Sequence, residues 1–369
     1  MTSSTPRVAI VAASLDILGG QGVQARSLVD GLTSDGVRVT FIPIDQPFPP
    51  ALRSLRAVRG IRTLVNQALY LPRLLALATV DVAHVFSASY ASFLLAPLPA
   101  MLIARAMNKQ VVLHYHSGEA DDHLSRWGVL VHPWLRLAHH IVVPSEYLRE
   151  VFARHGYQAR VIPNVVDLTR FAYRERRPLR PRLLSTRNLE RYYRVDVIVR
   201  AYARVKAAFP DASLTIAGYG SEERRLRALV ANHRLADVRF AGKVAPAAMP
   251  GLLDEADIYL NASEVDNQPV SILEAFAAGI PVVSTGAGDI PAMVRHDETG
   301  LIVPPDDPDA MADAVIAMLR NEERALGFAR EAHDIVRRFT WPEVREVWAD
   351  VYQRRNRHGV LQPWTSRAH

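Results

Sequence analysis

Cysteine is absent from the 369 residues. That excludes a disulfide framework and thiolate metal sites, and it is in keeping with a reducing cytoplasm. Lysine is scarce: Lys109, Lys206 and Lys243 are the only three among 44 basic residues. No basic stretch precedes the first apolar run, so MTSSTPRVAIVAAS is expected to be a polar tail and a first strand, not a secretory signal. Residues 85–104 carry no formal charge and approach membrane-spanning length, but Pro97, Pro99 and three serines interrupt them. A strand followed by a buried helix is therefore expected there, and no transmembrane segment.

The chain has much to bury. Apolar residues make up 49%, which excludes disorder and suits large buried sheets, and the length favours two domains. The net charge of +6 is uneven: residues 1–172 hold 16 basic against 11 acidic side chains, the remainder 28 against 27. A basic first half suits an anionic partner such as phosphate, acidic lipid headgroups or nucleic acid, among which charge alone does not choose.

Short apolar runs alternate with helix-length segments. In the first half the runs are 7–13, 37–42, 82–86, 111–114 and 141–143; in the second they are RLLST, SLTIAG, VRFAG, IYLNAS, PVVST and GLIVP. Such alternation predicts α/β architecture with parallel, doubly wound sheets, and runs such as VAIVAA suit burial on both faces. The charged, proline-punctuated segment 173–181 predicts a linker. It separates a domain over 1–172 from one over 182–340, with residues 341–369 forming a C-terminal helix and tail that pack back on the first domain.

Two N-terminal features stay open. The segment LGGQGV, from Leu18, lies between a predicted strand and helix, where glycines let backbone amides approach a phosphate. Its continuation from Gly20 to Ala25 also matches the G-x-G-x-x-A dinucleotide fingerprint with Asp45 after the next strand, the pattern of an oxidoreductase, and a tight structural turn is a third reading. In LRSLRAVRGIRT, residues 52–63, Arg53, Arg56, Arg59 and Arg62 recur every third position. Three residues advance a helix by about 300°, so the stripe winds and offers no single apolar face. It is either a solvated segment over the core or a contact with an anionic membrane or acceptor.

The most specific signal is NASEVDNQPVSILEAFAAGIPVVS, from Asn261. A strand runs into a polar turn and then a helix near Pro269, which puts Asp266, Glu274 and the amides of residues 268–271 at the carboxyl edge of the sheet. The segment resembles the acidic E-x7-E region of glycosyltransferase family 4. Further matches are IPNVVDLTRF from Ile162, IAGYGS from Ile216, FAGKV from Phe240, LDEAD from Leu253 and TGLIVP from Thr299. In the first half, Gly19-Gly20, HYHSG from His114 and VPS from Val143 match.

The resemblance implies the GT-B fold, two Rossmann-like domains facing a central cleft, and a retaining glycosyltransferase using a nucleoside diphosphate sugar. It implies that Glu274 binds the ribose, that Asp266 meets sugar hydroxyls, and that Arg187 neutralises the leaving diphosphate. The backbone of Asn267, Gln268, Pro269, Val270 and Ser271 would hold sugar and phosphate, with Gly218, Lys243 and Val244 also on the donor side. Gly19 and Gly20 would meet the diphosphate from the first domain, and His116 would lie near sugar and acceptor, with His114 its rival. Asp266 stands where most members have Glu. The usual second basic residue, a lysine, is missing, and Arg191 or Arg194 is expected in its place; Glu264 is expected to be solvated.

No metal or other cofactor is expected: Asp307-Pro-Asp309 formally matches a metal-binding D-x-D but suits a helix cap. An oxidoreductase lacks a hydride-transfer site in the second half, and a Schiff-base phosphorylase lacks a suitable lysine. A non-catalytic sugar-nucleotide-binding protein would not need His116, Arg187 and Glu274 together. The expected partners are a nucleotide-sugar donor, a glycan, lipid-linked or small-molecule acceptor and an anionic membrane surface, not nucleic acid. The expected location is the cytoplasm, at the inner face of the cell membrane.

Overall fold

Each apolar run of the first half becomes a parallel strand: β1 (Val8–Ala12), β2 (Val39–Pro43), β3 (Val82–Ser87), β4 (Gln110–Tyr115) and β5 (His140–Val143). A short edge strand β6 (Ala159–Val161) completes the order β2-β1-β3-β4-β5-β6. The computed structural model describes residues 6–15, 20–50 and 58–353. Every residue of β1 and β3 is buried, as helices on both faces of a parallel sheet require.

The second half builds β7 (Arg182–Ser185), β8 (Ser213–Ala217), β9 (Val238–Gly242), β10 (Ile258–Asn261), β11 (Val282–Thr285) and β12 (Leu301–Val303). Their order is β12-β11-β10-β7-β8-β9, that of the doubly wound dinucleotide-binding sheet. Each sheet reverses direction beside its first strand, between β1 and β3 and between β7 and β10. Open α/β sheets bind ligands beyond the carboxyl ends of the strands at such points.

One compact unit runs to Pro163 and resumes at Trp341; the other is Asn164–Thr340. The boundary expected at 172 therefore moves back to Pro163, because Val166 and Phe171 are buried in the second unit's core. The expected linker 173–181 is likewise built into that unit. Arg176 is fully buried and donates to the carbonyls of Ala256, Arg174, Ala278 and Leu253. Leu253 lies in the helix Met249–Asp254, and Ala278 closes the helix Val270–Ala277. One guanidinium thus satisfies carbonyls at two helix ends. Burial lowers its pKa to about 10, still charged at neutral pH.

The final helix, Trp341–Tyr352, belongs to the first unit. The Trp341 indole N–H donates to Asp35, and a Cβ on Gly31 would overlap its ring at 2.2 Å.

The first half of the basic stripe, Arg53 and Arg56 included, lies outside the described residues, and the helix Arg59–Arg73 follows. Its inner face carries Asn66, which binds Gln46 and the Ile44 carbonyl, and Tyr70, whose hydroxyl donates to the Ala96 carbonyl. Ile61, Leu64, Ala68 and Leu71 fall within roughly 80° of arc at about 100° per residue, and Leu75 follows in the 3-10 turn Leu74–Thr79. All five are exposed, Leu64 at 72% and Leu75 at 65%. Beyond residue 59 these positions therefore share one outward face, Val65 and Leu69 being half-buried, and the exposed Arg62 and Arg73 lie about 100–120° round the helix from Ile61, both on the same side.

Candidate active site

Arg187 follows β7 and Asp266 follows β10, so the two loops flank the reversal point of the second sheet. Arg187 Nη2 donates to Asp266 Oδ2 at 2.6 Å and Nη1 to Ser271 Oγ at 3.2 Å, while the guanidinium lies 4.1 Å from the centre of the Tyr193 ring. The pair is about nine-tenths buried. Burial opposes the arginine's charge, but Asp266 and the surrounding tyrosines outweigh it and the pKa is raised. The Nε–H of Arg187 is buried with no acceptor among the described residues. The cluster therefore holds a positive centre in a low-dielectric setting with one donor still to be satisfied.

The resemblance implies sugar hydroxyls for Asp266 and a diphosphate for Arg187; in this structure the two side chains hold each other. Asp266 Oδ1 also accepts from the Asn267 N–H at 3.0 Å. Two close approaches brace these loops. A Cβ on Gly288, whose φ is +55°, would sit 2.1 Å from the Asp266 carbonyl, and one on Gly218 would sit 2.2 Å from that of Arg187. Gly218 thus positions the arginine loop through its lack of a side chain. Tyr193, which stacks on Arg187 from six residues further along the same loop, is not singled out by the sequence because the stack depends on the turn Arg191–Tyr193 folding back.

The helix Val270–Ala277 begins behind Pro269 with no side-chain cap. Of the amides expected to receive phosphate, Pro269 carries no N–H. Those of Gln268, Val270 and Ser271 have no acceptor among the described residues. Gln268 is anchored from behind: its Oε1 accepts from the Asn164 N–H and its carbonyl from Asn164 Nδ2, at 2.6 and 2.7 Å. Glu274, one turn further on, is 8% exposed, and burial pushes its pKa up to about 7 against the opposing charge of Arg170.

Other expected donor residues stand apart from this cluster. Arg194 binds Asp196, Glu264 and Asp306, so three carboxylates occupy its fork. Glu264, expected to be solvated, is one of those partners. Arg191 is exposed on a short turn. Lys243 is exposed and lies 5.6 Å from the Tyr219 ring, whereas Val244 packs on the core. Asp307 caps the helix Pro308–Arg320 by accepting from the Ala310 N–H at 2.8 Å. Among the described residues no group of three His, Asp or Glu side chains could hold a metal.

At the first sheet, Gly19 lies outside the described residues, and Gly20 opens the helix Gly20–Ser34 with space around it. Asp45, the acid of the dinucleotide reading, accepts from the Ser14 N–H at 2.7 Å. His116 follows β4, its N–H bonded to the Ser87 carbonyl at 3.2 Å and its ring stacked on Phe86 at 5.1 Å. Burial lowers its pKa to about 3, and its Nε2 is buried with no partner among the described residues. His114 stands in β4 itself, buried, with its ring 4.1 Å from that of His116.

Comparison with known proteins agrees with this layout. Residues 18–170 match the family described as Glycosyltransferase Family 4, and residues 180–321 match Glycosyl transferases group 1. The chain is 30% identical to a glycogen synthase of Mycobacterium tuberculosis over 281 residues, covering 72% of this chain and 68% of that one. It is 29% identical to a phosphatidyl-myo-inositol mannosyltransferase of Mycobacterium leprae over 267 residues, covering 70% and 71%. Among solved structures, Anabaena HepE in complex with UDP-glucose superposes with a TM-score of 0.75 at 18% identity, over 93% of this chain and 98% of that one. The sucrose-phosphate synthase of Thermosynechococcus elongatus gives 0.74 at 19%, over 94% and 98%.

Proposed function

The chain belongs to glycosyltransferase family 4 and is a glycosyltransferase of the GT-B fold, and on that premise we propose that it transfers a hexose from a nucleoside diphosphate sugar to an acceptor with retention at the anomeric carbon. The observation that carries the reading is Arg187, a buried guanidinium with an unsatisfied N–H beside the open amides of Gln268, Val270 and Ser271. Departure of a nucleoside diphosphate builds negative charge, and prepositioned donors in a dry site stabilise it.

Glu274 takes the ribose hydroxyls, and Asp266 exchanges part of its contact with Arg187 for a hydroxyl of the sugar. The acceptor oxygen attacks the anomeric carbon on the face that the phosphate leaves. The bond from that carbon to the phosphate oxygen breaks, and the acceptor proton passes to the departing phosphate. His116, kept neutral by burial, offers a hydrogen bond and no charge to the sugar or acceptor. Arginine and backbone N–H groups supply the phosphate neutralisation, so initial rates should survive exhaustive chelation; a loss restored only by Mg²⁺ or Mn²⁺ would contradict this.

For the acceptor we favour a lipid-linked or polysaccharide precursor of cell-surface glycans, met at an anionic membrane. Among the described residues no helix is long and apolar enough to cross a membrane. The exposed aliphatic face from Ile61 to Leu75 suits a segment lying in the interface, and the exposed Arg62 and Arg73 elsewhere on the same helix add charge for anionic headgroups. The mannosyltransferase relative also carries a lipid in its name.

The test is a panel of nucleoside diphosphate sugars with lipid-linked and soluble acceptors, the product's anomeric configuration read by NMR. One donor should give a retained product. Inversion, or activity confined to a soluble small-molecule acceptor, would overturn the mechanism or the acceptor class respectively.

A further inference from the structure

Behind His116 lies a polar chain that the transfer scheme does not use. His84, in β3, is fully buried. Its Nδ1 lies 2.7 Å from the Tyr352 hydroxyl and its Nε2 lies 3.1 Å from His114 Nδ1. Tyr352 is also fully buried, on the helix that returns to the first unit. Trp348, one turn earlier, packs its ring 5.0 Å from His84 and 5.1 Å from His114. The chain ends at His114 Nε2, buried with no partner among the described residues, beside the His116 ring.

This chain has a direction. A neutral imidazole carries one N–H and one lone pair. If His84 donated to Tyr352, the phenol proton would need a second acceptor, and none stands within reach among the described residues. That arrangement strands both the phenol proton and the lone pair of His114 Nε2, whereas Tyr352 donating to His84 Nδ1 and His84 Nε2–H donating to His114 Nδ1 leaves only the N–H on His114 Nε2 without a partner among the described residues. His114 is then fixed as an Nε2–H tautomer.

We propose that Tyr352, His84 and His114 are positioning residues for His116, a directed hydrogen-bond chain that sets the neutral imidazole wall against which the His116 ring is held. The proposal rests on the assignment of His116 to the reaction centre. The groups facing the array are His84 and Phe86 from β3, His114 from β4, and Trp348 and Tyr352 from the closing helix. None carries a formal charge, and no carboxylate or cation hydrogen-bonds the three rings among the described residues. Burial lowers His84 to about 3 and His114 well below its ordinary value; the His116 imidazole adds to both, and His84 adds to the effect on His114.

The test is ¹⁵N NMR of the histidines in the full chain between pH 5 and 9, with steady-state kinetics on the same samples. In the wild type, His84 and His114 should both show the Nε2–H tautomer and neither should titrate. Tyr352→Phe removes the hydroxyl and keeps the ring. It should mix the His84 tautomers and lower kcat about tenfold, the equivalent of one hydrogen bond, at unchanged donor KM. An Nδ1–H tautomer at His114 in the wild type would overturn the proposal without any variant. So would unchanged tautomers and unchanged kcat in Tyr352→Phe. His116→Ala separates the two readings: full activity there removes His116 from the reaction centre, while the wild-type tautomers decide the direction of the chain by themselves.

Discussion

At the carboxyl edge of the second sheet, Arg187 and Asp266 face each other as buried charges and Glu274 sits a turn away with its pKa raised to about 7. At the carboxyl edge of the first sheet, the half-buried His116 and the buried His114 are held neutral. Both sheets reverse beside their first strand, but the histidines stand at the end of β4, one strand beyond that reversal, and the two sites differ in their electrostatics. A charged crevice suits a diphosphate, which brings charge of its own. A neutral one suits hydroxyls, which are recognised by hydrogen-bond direction. On the proposed reading the two roles rest on the loops after the strands, and each sheet serves as a platform for its loops.

The sharpest way to break this contrast is to remove the charge. Arg187→Ala should lower the transfer rate by about 10²–10³. It should also cost about 3 kcal/mol of stability, because Asp266 is left as a buried carboxylate without its partner. Adding Asp266→Ala should restore the stability but not the rate. If the double variant recovers both, the pair is structural and the charge is not used on a ligand. Glu274→Ala should lose a similar factor in rate with the fold retained.

A pH series sharpens the same contrast. The folded-state pKa of Glu274, about 7, lies above the unfolded value near ~4.3. The folded protein therefore binds that proton more tightly, and stability should fall as pH rises through this window and then level off. The change is on the order of 3 kcal/mol. Denaturant unfolding from pH 4 to 8 should show the slope in the wild type and lose it in Glu274→Gln. The same slope in both proteins would mean that Glu274 is not the group responsible.

How much of this was legible in the sequence depended on how local each signal was. The buried strands announce themselves as apolar runs, and the turn and helix after β10 carry Asp266, Ser271 and Glu274 in one contiguous segment. β6 does not show in the sequence because it is three residues at a sheet edge, Ala159 and Val161 half-buried and Arg160 exposed, with too little apolar content to stand out. Segment 173–181 resembled a solvated linker because composition does not reveal that Arg176 turns inward onto helix-end carbonyls. Tyr352 against His84 depends on a contact between distant parts of the chain, and Tyr193 over Arg187 on how the loop between them folds back. The exposed aliphatic face of the helix Arg59–Arg73 does not show in the arginine triplets of 52–63, because it lies mostly beyond them and follows spacings of three and four.

The smallest effect concerns the surface of the first unit. Leu64→Glu with Leu75→Glu should lower co-sedimentation with anionic liposomes several-fold, leaving stability within about 0.5 kcal/mol, since both side chains are exposed. Binding should weaken further at high salt. Equal pelleting of variant and wild type would remove the stripe as the contact.

The most direct measurement is calorimetric titration of nucleoside diphosphates, with and without a sugar, into the wild type and into Arg187→Ala/Asp266→Ala. At least one nucleoside diphosphate should bind the wild type, and its affinity should fall at least tenfold in the double variant, whose fold is preserved. Equal affinity in the two proteins, or no binding to either across the panel, would contradict the assignment of the Arg187 crevice to the diphosphate.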